Sequence, residues 1–195
     1  GFFEIMPGEN STPIVATEAF VTYDFDHLYI AFRAFDDPTN IRANVSKRDN
    51  MYRDDFVGLL LDTYGDANKA YQIMVNPIGI QGDSQIIGEK QDESFDINFS
   101  SAGIITSEGY QVEIALPFSS IRFPNVDEQQ WRFTLFRTLP REDFKRQMRW
   151  IPHDRNNPCL LCQLGYLNGI SGIKSKRSID FLPSIVGTQS GALDS

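Results

Sequence analysis

The sequence predicts an all-β protein, a jelly-roll or immunoglobulin-like β-sandwich of two antiparallel sheets. Short segments alternate apolar and polar residues at a period of two, which is typical of strands that bury one face. Gly, Pro and Asn separate these segments at regular spacing, and helical periodicity is scarce. Of the 195 residues 41% are hydrophobic, so one domain with a sizeable core is expected.

The strand predictions follow this alternation in chain order. Strands are predicted at residues 19–24, 27–35, 56–62, 70–76, 110–116 and 131–138. Weaker patterns lie at residues 163–170 and 179–185. Within 110–116, alternation places Gln111 and Glu113 on the face away from the core. Pro117 suits the first turn of one short helix, which Pro124 ends.

Composition changes along the chain indicate how it is organised. Residues 53–76 predict the central hairpin, since two apolar segments flank the polar stretch TYGDANK. Residues 82–98 are polar and acidic and predict a long loop or irregular hairpin. We expect the sandwich domain at residues 1–172. Residues 173–195 change in character and are expected to be a linker, or the start of a following region of a longer protein.

The charge of the chain excludes some classes of partner. The formal net charge is −8 and the pI about 4.7, which argues against a nucleic-acid partner, because phosphates are bound by clustered cations. No apolar run approaches the ~18 residues of a membrane-spanning helix. No signal peptide is visible in the sequence, which begins with GFFEIMPGEN and is expected to be a mature fragment.

Two cysteines, Cys159 and Cys162, stand in the loop-like segment NNPCLLCQLG. A redox pair is normally found at a helix N-terminus, and no helical pattern follows here. A haem attachment site needs His after the second cysteine, where Gln163 stands, and a structural zinc needs four ligands. The remaining alternatives are a disulfide that closes the loop or two partly buried thiols.

Six motifs together resemble a known family in their order and spacing. They are VTYDFDHLYIAFRAFDDP, RDDFVGLLLDTYGD, AYQIMVNPIGIQGD, GYQVEIALPFSSIRFP, WRFTLFRTLPRE and CQLGYLNGI. They resemble carbohydrate-binding modules of the family 9-like type, over most of residues 15–172. The resemblance is to the variant that stands N-terminal to a predicted outer-membrane-type β-barrel region in bacterial envelope proteins, and it suggests that the family's opening strand precedes Gly1.

The resemblance implies a sandwich fold and a location in the cell envelope (periplasm or outer membrane) or outside the cell. It implies a glycan or polysaccharide as ligand, the C-terminal domain of the same protein as a partner, and an association with carbohydrate catabolism. Family members hold a sugar between two Trp rings and bind its hydroxyls with Glu, Arg and amide side chains.

The family's sugar-binding positions are only partly kept in this sequence. The first ring position falls at Tyr52 and the second near Cys159. The acidic residue falls at Gly58 and the arginine at Met74, whereas Asn156 keeps a polar side chain. Any sugar bound at this place is therefore expected to be held weakly or by other residues.

The candidate carbohydrate-binding residues are Tyr52, Arg53, Gln72, Trp150 and Asn156. Aromatic rings stack on the C–H faces of sugars, and polar side chains bind the hydroxyls. Trp150 stands beside the polar segment HDRNN, so it either forms an exposed platform or packs under that loop.

Asp54, Asp55, Asp62 and Asp66, with Asn68, offer oxygen atoms for a structural Ca²⁺. Calcium takes six to eight oxygen ligands, many of them from loops. The spacing matches no EF-hand, and the alternative is a solvated acidic loop.

Basic residues concentrate between positions 132 and 149. They are Arg132, Arg137, Arg141, Lys145, Arg146 and Arg149, six of the 18 in the chain. This segment either docks an acidic partner, an anionic glycan or a lipid head group, or pairs with nearby Asp and Glu.

No set of residues indicates catalysis. His27 and His153 are the two histidines, and no GxSxG motif occurs. No carboxylate pair is singled out for glycoside hydrolysis. We therefore predict no catalytic residue and a non-catalytic carbohydrate-binding module of a larger protein. The alternative is a structural or docking domain with a degenerate sugar site, which packs on its own C-terminal barrel or on an envelope partner.

Overall fold

A computed structural model describes residues 1–141 and 144–174. The described chain forms twelve strands in two antiparallel sheets that face each other. The predicted β-sandwich of two antiparallel sheets is thus confirmed. Within the described part, no helix is long and apolar enough to cross a membrane.

The larger sheet contains eight strands. They are β1 (Phe3–Met6), β4 (Phe56–Asp62), β5 (Lys69–Val75), β6 (Gln81–Ile87), β7 (Lys90–Asp92), β10 (Glu128–Pro140), β11 (Lys145–Arg149) and β12 (Gly165–Ser171). The order is β1-β11-β10-β4-β5-β6-β7, and β12 also pairs with β10. The long strand β10 therefore pairs with β4 along one edge and with β11 and β12 along the other.

The smaller sheet contains four strands in the order β2-β3-β9-β8. They are β2 (Thr17–Tyr23), β3 (His27–Phe35), β8 (Ser100–Thr106) and β9 (Gly109–Pro117). In β9, Gln111 and Glu113 are exposed while Val112 and Ile114 are buried, as alternation predicts. The predicted helical turn is a single 3₁₀ turn at Phe118–Ser120.

The main core lies between the inner faces of the two sheets. Trp131 in β10 is completely buried there, against Phe118 and Phe123. A second apolar cluster lies on the outer face of the larger sheet. It is built from Phe56, Leu60, Met74, Phe136 and residues of the covering segments, Met51, Leu161 and Leu164. Both faces of β4 are therefore buried, which explains its continuous apolar run.

Three strands were not predicted: β1, β8 and β11. For residues 82–98, predicted as a long loop or an irregular hairpin, the hairpin is present, since β6 pairs with β7 in antiparallel orientation. The polar side chains of β6 are buried because partners satisfy them. Asp83 accepts hydrogen bonds from Arg48 Nε at 2.7 Å and from the Ile97 N–H at 2.5 Å. The predicted strand at 179–185 lies outside the described residues.

A buried guanidinium connects the two sheets. Arg137, on the inner face of β10, is completely buried and donates to the carbonyl oxygens of Ala16 and Phe35 at 3.1 and 3.0 Å. It also pairs with Asp36 at 3.0 Å. Arg141 donates to the same carboxylate at 2.5 Å. One acidic side chain thus holds two arginines at the end of the sandwich.

We expect Arg137→Met to lower the free energy of unfolding by roughly 3–5 kcal/mol, because it removes one partner of a buried ion pair. Urea unfolding followed by fluorescence measures this loss. The control is Arg33→Ala, which breaks an exposed pair with Glu18 at 3.7 Å. The control should lose less than about 1 kcal/mol. Equal losses in the two variants would contradict the role given to Arg137.

Candidate functional site

A cavity of about 310 Å³ opens on the outer face of the larger sheet. Strands β4, β5, β10 and β11 form its floor, and the segments around Tyr52 and Leu160 form its walls. The lining side chains of the floor include Phe56, Leu60, Gln72, Met74, Phe136, Lys145, Gln147 and Arg149. The cavity therefore combines an apolar floor with polar groups at its edges.

The floor explains the glycine at position 58. Strand pairing aligns Gly58 with Phe136 on one side and Met74 on the other. A Cβ at Gly58 would lie 2.7 Å from Phe136 Cζ and 2.1 Å from the Ile73 carbonyl oxygen. The Phe136 ring therefore occupies the space above Gly58, and no acidic side chain fits at this position.

Tyr52 forms one wall of the cavity. Its half-buried ring packs edge-to-face on Phe56, with ring centroids 6.5 Å apart. Its hydroxyl donates to Glu93 Oε1 at 3.2 Å. Burial, followed by the charge of Glu93, raises the pKa of Tyr52 to about 12. The ring thus stays neutral at physiological pH, in a position where a ligand can stack.

Gln72 contributes the amide of the floor. Its Oε1 accepts a hydrogen bond from the Ser84 hydroxyl at 3.0 Å, and Gln91 donates to that hydroxyl at 3.1 Å. The Gln72 amide nitrogen contacts the Met74 sulfur at 3.7 Å. Because a thioether is a weak acceptor, this N–H group retains donor capacity for a ligand.

Strand β11 adds three polar side chains that the prediction of binding residues missed. Lys145, Gln147 and Arg149 stand at alternate positions, and all three line the cavity. Burial lowers the pKa of Lys145 and that of Arg149. The alternation in KRQMR is the signal that places these three side chains on one face of the strand, whereas the sequence predicts for the basic segment as a whole either docking of an anionic partner or pairing with Asp and Glu.

Trp150 lies on the other side of the larger sheet. It follows Arg149 directly in an extended chain, so its side chain points the opposite way. Its ring packs on Phe133 at 5.1 Å between centroids and is 36% exposed. It lines a separate cavity with Phe2 and strand β2. The structure therefore does not bring Trp150 together with Tyr52.

The remaining two candidates also lie outside the cavity lining. Arg53 is exposed. Asn156 is exposed in the loop before the cysteines, where its backbone N–H donates to Asp154 Oδ1 at 2.9 Å. Of the five predicted binding residues, the structure thus assembles Tyr52 and Gln72.

The two cysteines form a disulfide, Cys159–Cys162, with Cα atoms 5.3 Å apart. Of the two alternatives left by the sequence, the loop-closing bridge is present. Leu160, between the cysteines, lines the cavity where the family's second ring is expected. The second wall of the cavity is therefore aliphatic, and the disulfide constrains the loop that carries it.

The predicted calcium ligands Asp54 and Asp55 already have protein partners. Asp54 accepts hydrogen bonds from the backbone and side chain of Asn44 at 3.0 and 2.6 Å and from Asn76 at 2.9 Å. Asp55 is completely buried and pairs with Arg141 at 3.4 Å. Burial raises the pKa of Asp55. These two carboxylates hold the chain together rather than facing a common point.

Asp62 and Asp66 organise the turn of the central hairpin. Asp62 accepts the backbone N–H groups of Tyr64, Gly65 and Ala67 at 2.8–3.0 Å. Asp66 is paired only with the nearby Asn68, whose N–H donates at 3.0 Å. Among the described residues, the four predicted carboxylates do not gather into a group suited to a metal ion. A melting experiment with EDTA and added Ca²⁺ tests whether they hold a structural ion.

A different acidic group lies together in space: Asp49, Asp83 and Asp96, whose oxygens are within 4.8 Å of one another. Arg48 reaches into this group. Its Nε lies 4.0 Å from Asp49 and 3.9 Å from Asp96, and it donates to Asp83 at 2.7 Å. A guanidinium therefore already supplies the positive charge at this place.

The basic segment divides into two sets. Arg137 and Arg141 pair with Asp36, and Arg146 pairs with Glu4 at 2.9 Å. Arg132 donates to the Gly65 and Cys162 carbonyl oxygens. The expected pairing with acidic residues thus holds for three arginines, whereas Lys145 and Arg149 face the cavity.

The chain matches a family pattern described as carbohydrate family 9 binding domain-like, over residues 3–146. Among curated proteins, none is significantly similar to it.

Solved structures share the fold at low sequence identity. A Bacteroides uniformis protein to which carbohydrate binding is ascribed has a TM-score of 0.65 at 11% identity, covering 89% of this chain and 86% of its own. A family 9 carbohydrate-binding module from Caldicellulosiruptor kristjanssonii, in complex with glucose, has a TM-score of 0.56 at 15% identity, with coverages of 88% and 82%. A family 9 module from the same organism, in complex with cellotriose, has a TM-score of 0.57 at 13% identity, with coverages of 89% and 84%.

We expect that neither EDTA nor millimolar Ca²⁺ changes the melting temperature, because the predicted ligand carboxylates already accept N–H donors. An ion bound only by the native state would stabilise it by about 2.7 kcal/mol at 100 times its Kd. Thermal unfolding after exhaustive EDTA dialysis, with and without added Ca²⁺, measures the effect, and Mg²⁺ is the matched control. A rise specific to Ca²⁺ would establish a bound ion.

Proposed function

The chain belongs to the carbohydrate family 9 binding domain-like family, and from this we propose that it is a non-catalytic module that binds a sugar in the cavity on the outer face of the larger sheet. The observation that carries this proposal is the position of Tyr52. Its ring forms a wall of a cavity that also presents the amide side chains of Gln72, Gln91 and Gln147, and the family resemblance puts the first ring position at this residue.

The chemistry of the cavity suits a sugar. A ring face stacks on the apolar C–H groups of a pyranose, and amides bind its hydroxyls. The volume of about 310 Å³ lies at the lower end of the range of small-molecule sites, ~300–1,000 Å³. This size favours the end of a glycan over a long stretch of it.

The biological setting forms part of the proposal. We propose that the module belongs to a larger envelope or secreted protein of a bacterium and holds a glycan near the rest of that protein during glycan degradation. The Cys159–Cys162 disulfide supports an extracytoplasmic location, because disulfides persist mainly in oxidising compartments.

A second candidate function rests on the opposite face of the molecule. The outer face of the smaller sheet carries an apolar cavity of about 450 Å³, lined by Phe20, Tyr29, Ala31, Ala102 and Ala115. Phe20 is 57% exposed. Exposed apolar patches favour protein–protein contact. As a docking domain, the sandwich would pack through this face on its own C-terminal barrel or on an envelope partner.

We expect Tyr52→Ala to weaken binding at least ~10-fold for any glycan that the chain binds, a loss of about 1.4 kcal/mol, because the stacking surface is removed. A glycan array identifies the ligand, and titration calorimetry gives the affinities. Tyr64→Ala is the matched control, since Tyr64 is 55% exposed and does not line the cavity.

Trp150→Ala should leave the affinity unchanged, because Trp150 lies on the other side of the sheet. Absence of binding to every glycan at millimolar concentration would overturn the sugar-binding proposal. In that case, the docking function would be favoured if Phe20→Ser abolished the contact between this domain and the rest of the full-length protein.

A further inference from the structure

We propose that the sugar bound in this cavity carries an anionic group, a carboxylate or a sulfate, which Arg149 and Lys145 of strand β11 hold. The inference rests on the proposed function and names the class of ligand for that site. Lys145 and Arg149 are the two cations of β11 that line the cavity.

Strand geometry directs both cations into the cavity. Lys145, Gln147 and Arg149 alternate along β11, and they pair with Pro140, Thr138 and Phe136 of β10. Lys145 and Arg149 stand four residues apart, about 13 Å along an extended chain. Their long side chains approach from the two ends over Gln147, so both reach a ligand placed above the middle of the strand.

Arg149 has no counter-charge within the described part of the chain. Its half-buried side chain makes neither a hydrogen bond nor an ion pair there. The titratable group that feels its charge is His153, whose pKa is lowered first by burial and then by Arg149. This histidine is itself a base and supplies no negative charge. Desolvation of a half-buried guanidinium without an anionic partner is unfavourable, and an anionic ligand would offset part of that cost.

Lys145 is in a similar position. Its ammonium nitrogen lies 5.2 Å from the centre of the Phe56 ring and 5.9 Å from that of Tyr52. Among the described residues, it has no carboxylate within ion-pair distance. Burial lowers the pKa of this ammonium group and also that of the Arg149 guanidinium, as expected for cations without an anionic partner. Lys145 therefore places a positive charge directly beside the stacking ring.

No carboxylate lines the cavity within residues 1–141 and 144–174. This is unusual for a chain with a net charge of −8. Glu93 approaches the rim through the Tyr52 hydroxyl, but it is exposed, so that water and salt screen its charge. The cavity is thus a local positive site on an acidic protein, where low-dielectric walls concentrate the field.

The two positions at which the family places its charged contacts, Gly58 and Met74, are uncharged here. The positive charge instead comes from β11, on the other side of β10. An arginine fork binds a carboxylate or sulfate through two parallel hydrogen bonds. A sugar stacked on Tyr52 would direct such a group toward β11, since Lys145 already contacts that ring.

The test compares acidic and neutral ligands by titration calorimetry on the full chain. The probes are galacturonic and glucuronic acid oligosaccharides, a sulfated galactose oligosaccharide, and their uncharged counterparts together with glucose and cellotriose. We expect the acidic probes to bind at least ~10-fold more tightly than the neutral ones, a difference of about 1.4 kcal/mol. The preference should shrink with added NaCl. Comparison of the uronic acid probes with the sulfated probe shows whether the cavity prefers a carboxylate or a sulfate.

Arg149→Gln should abolish the preference for acidic over neutral probes. Lys145→Gln should reduce the preference. Arg53→Gln is the matched control, because Arg53 is exposed and does not line the cavity. Circular dichroism and melting temperature establish that each variant is folded. If Arg149→Gln does not fold, Lys145→Gln and the salt dependence of binding decide whether the cations hold the anionic group.

The outcomes separate the two proposals. Binding of neutral and acidic probes with equal affinity, or a preference that survives both substitutions, overturns the inference and leaves the sugar-binding proposal standing. Absence of binding to any probe overturns both. Loss of all binding in Tyr52→Ala, combined with loss of the acidic preference in Arg149→Gln, supports both.

Discussion

The buried pair of Arg137 and Asp36 is the interaction on which the rest of the structure depends. Arg137 lies in β10 and reaches across the sandwich to Asp36, at the end of β3. The next residue inward along the strand, Phe136, points to the opposite face and forms the floor of the cavity. Closure of the sandwich and the shape of the site are thus set by neighbouring residues of one strand.

The fold was predictable wherever alternation separated a buried face from a solvated one. Strands β3 and β4 were predicted at their observed bounds, and β9 nearly so. For the polar segment 82–98 the sequence left a loop or an irregular hairpin open, because Asp83 and Ser84 of β6 are buried through partners that are distant in sequence. A sequence shows how polar a segment is, but the partner that allows its burial becomes visible only when the chain has folded.

The site was predictable in part, for a similar reason. Tyr52 and Gln72 were found because the family resemblance and strand alternation both led to them. Trp150 lies on the other side of the sheet from Tyr52, because successive side chains of an extended chain point in opposite directions, and which face it takes is not readable from a loop-like segment. Arg149 was visible as a basic residue, but whether a cation is paired depends on contacts between strands. The carboxylates proposed for Ca²⁺ are engaged by local N–H donors, as Asp62 shows.

The glycine at position 58 limits which side chains the site can carry. The Phe136 ring fills the space that an acidic side chain would need, and the neighbouring backbone closes the rest. An acidic side chain at position 58 would fit only with a smaller side chain at position 136 and a wider spacing between the strands. No single substitution achieves this, and each intermediate would lose packing in a buried cluster. Ligand contacts in this cavity must therefore come from other positions of the sheet.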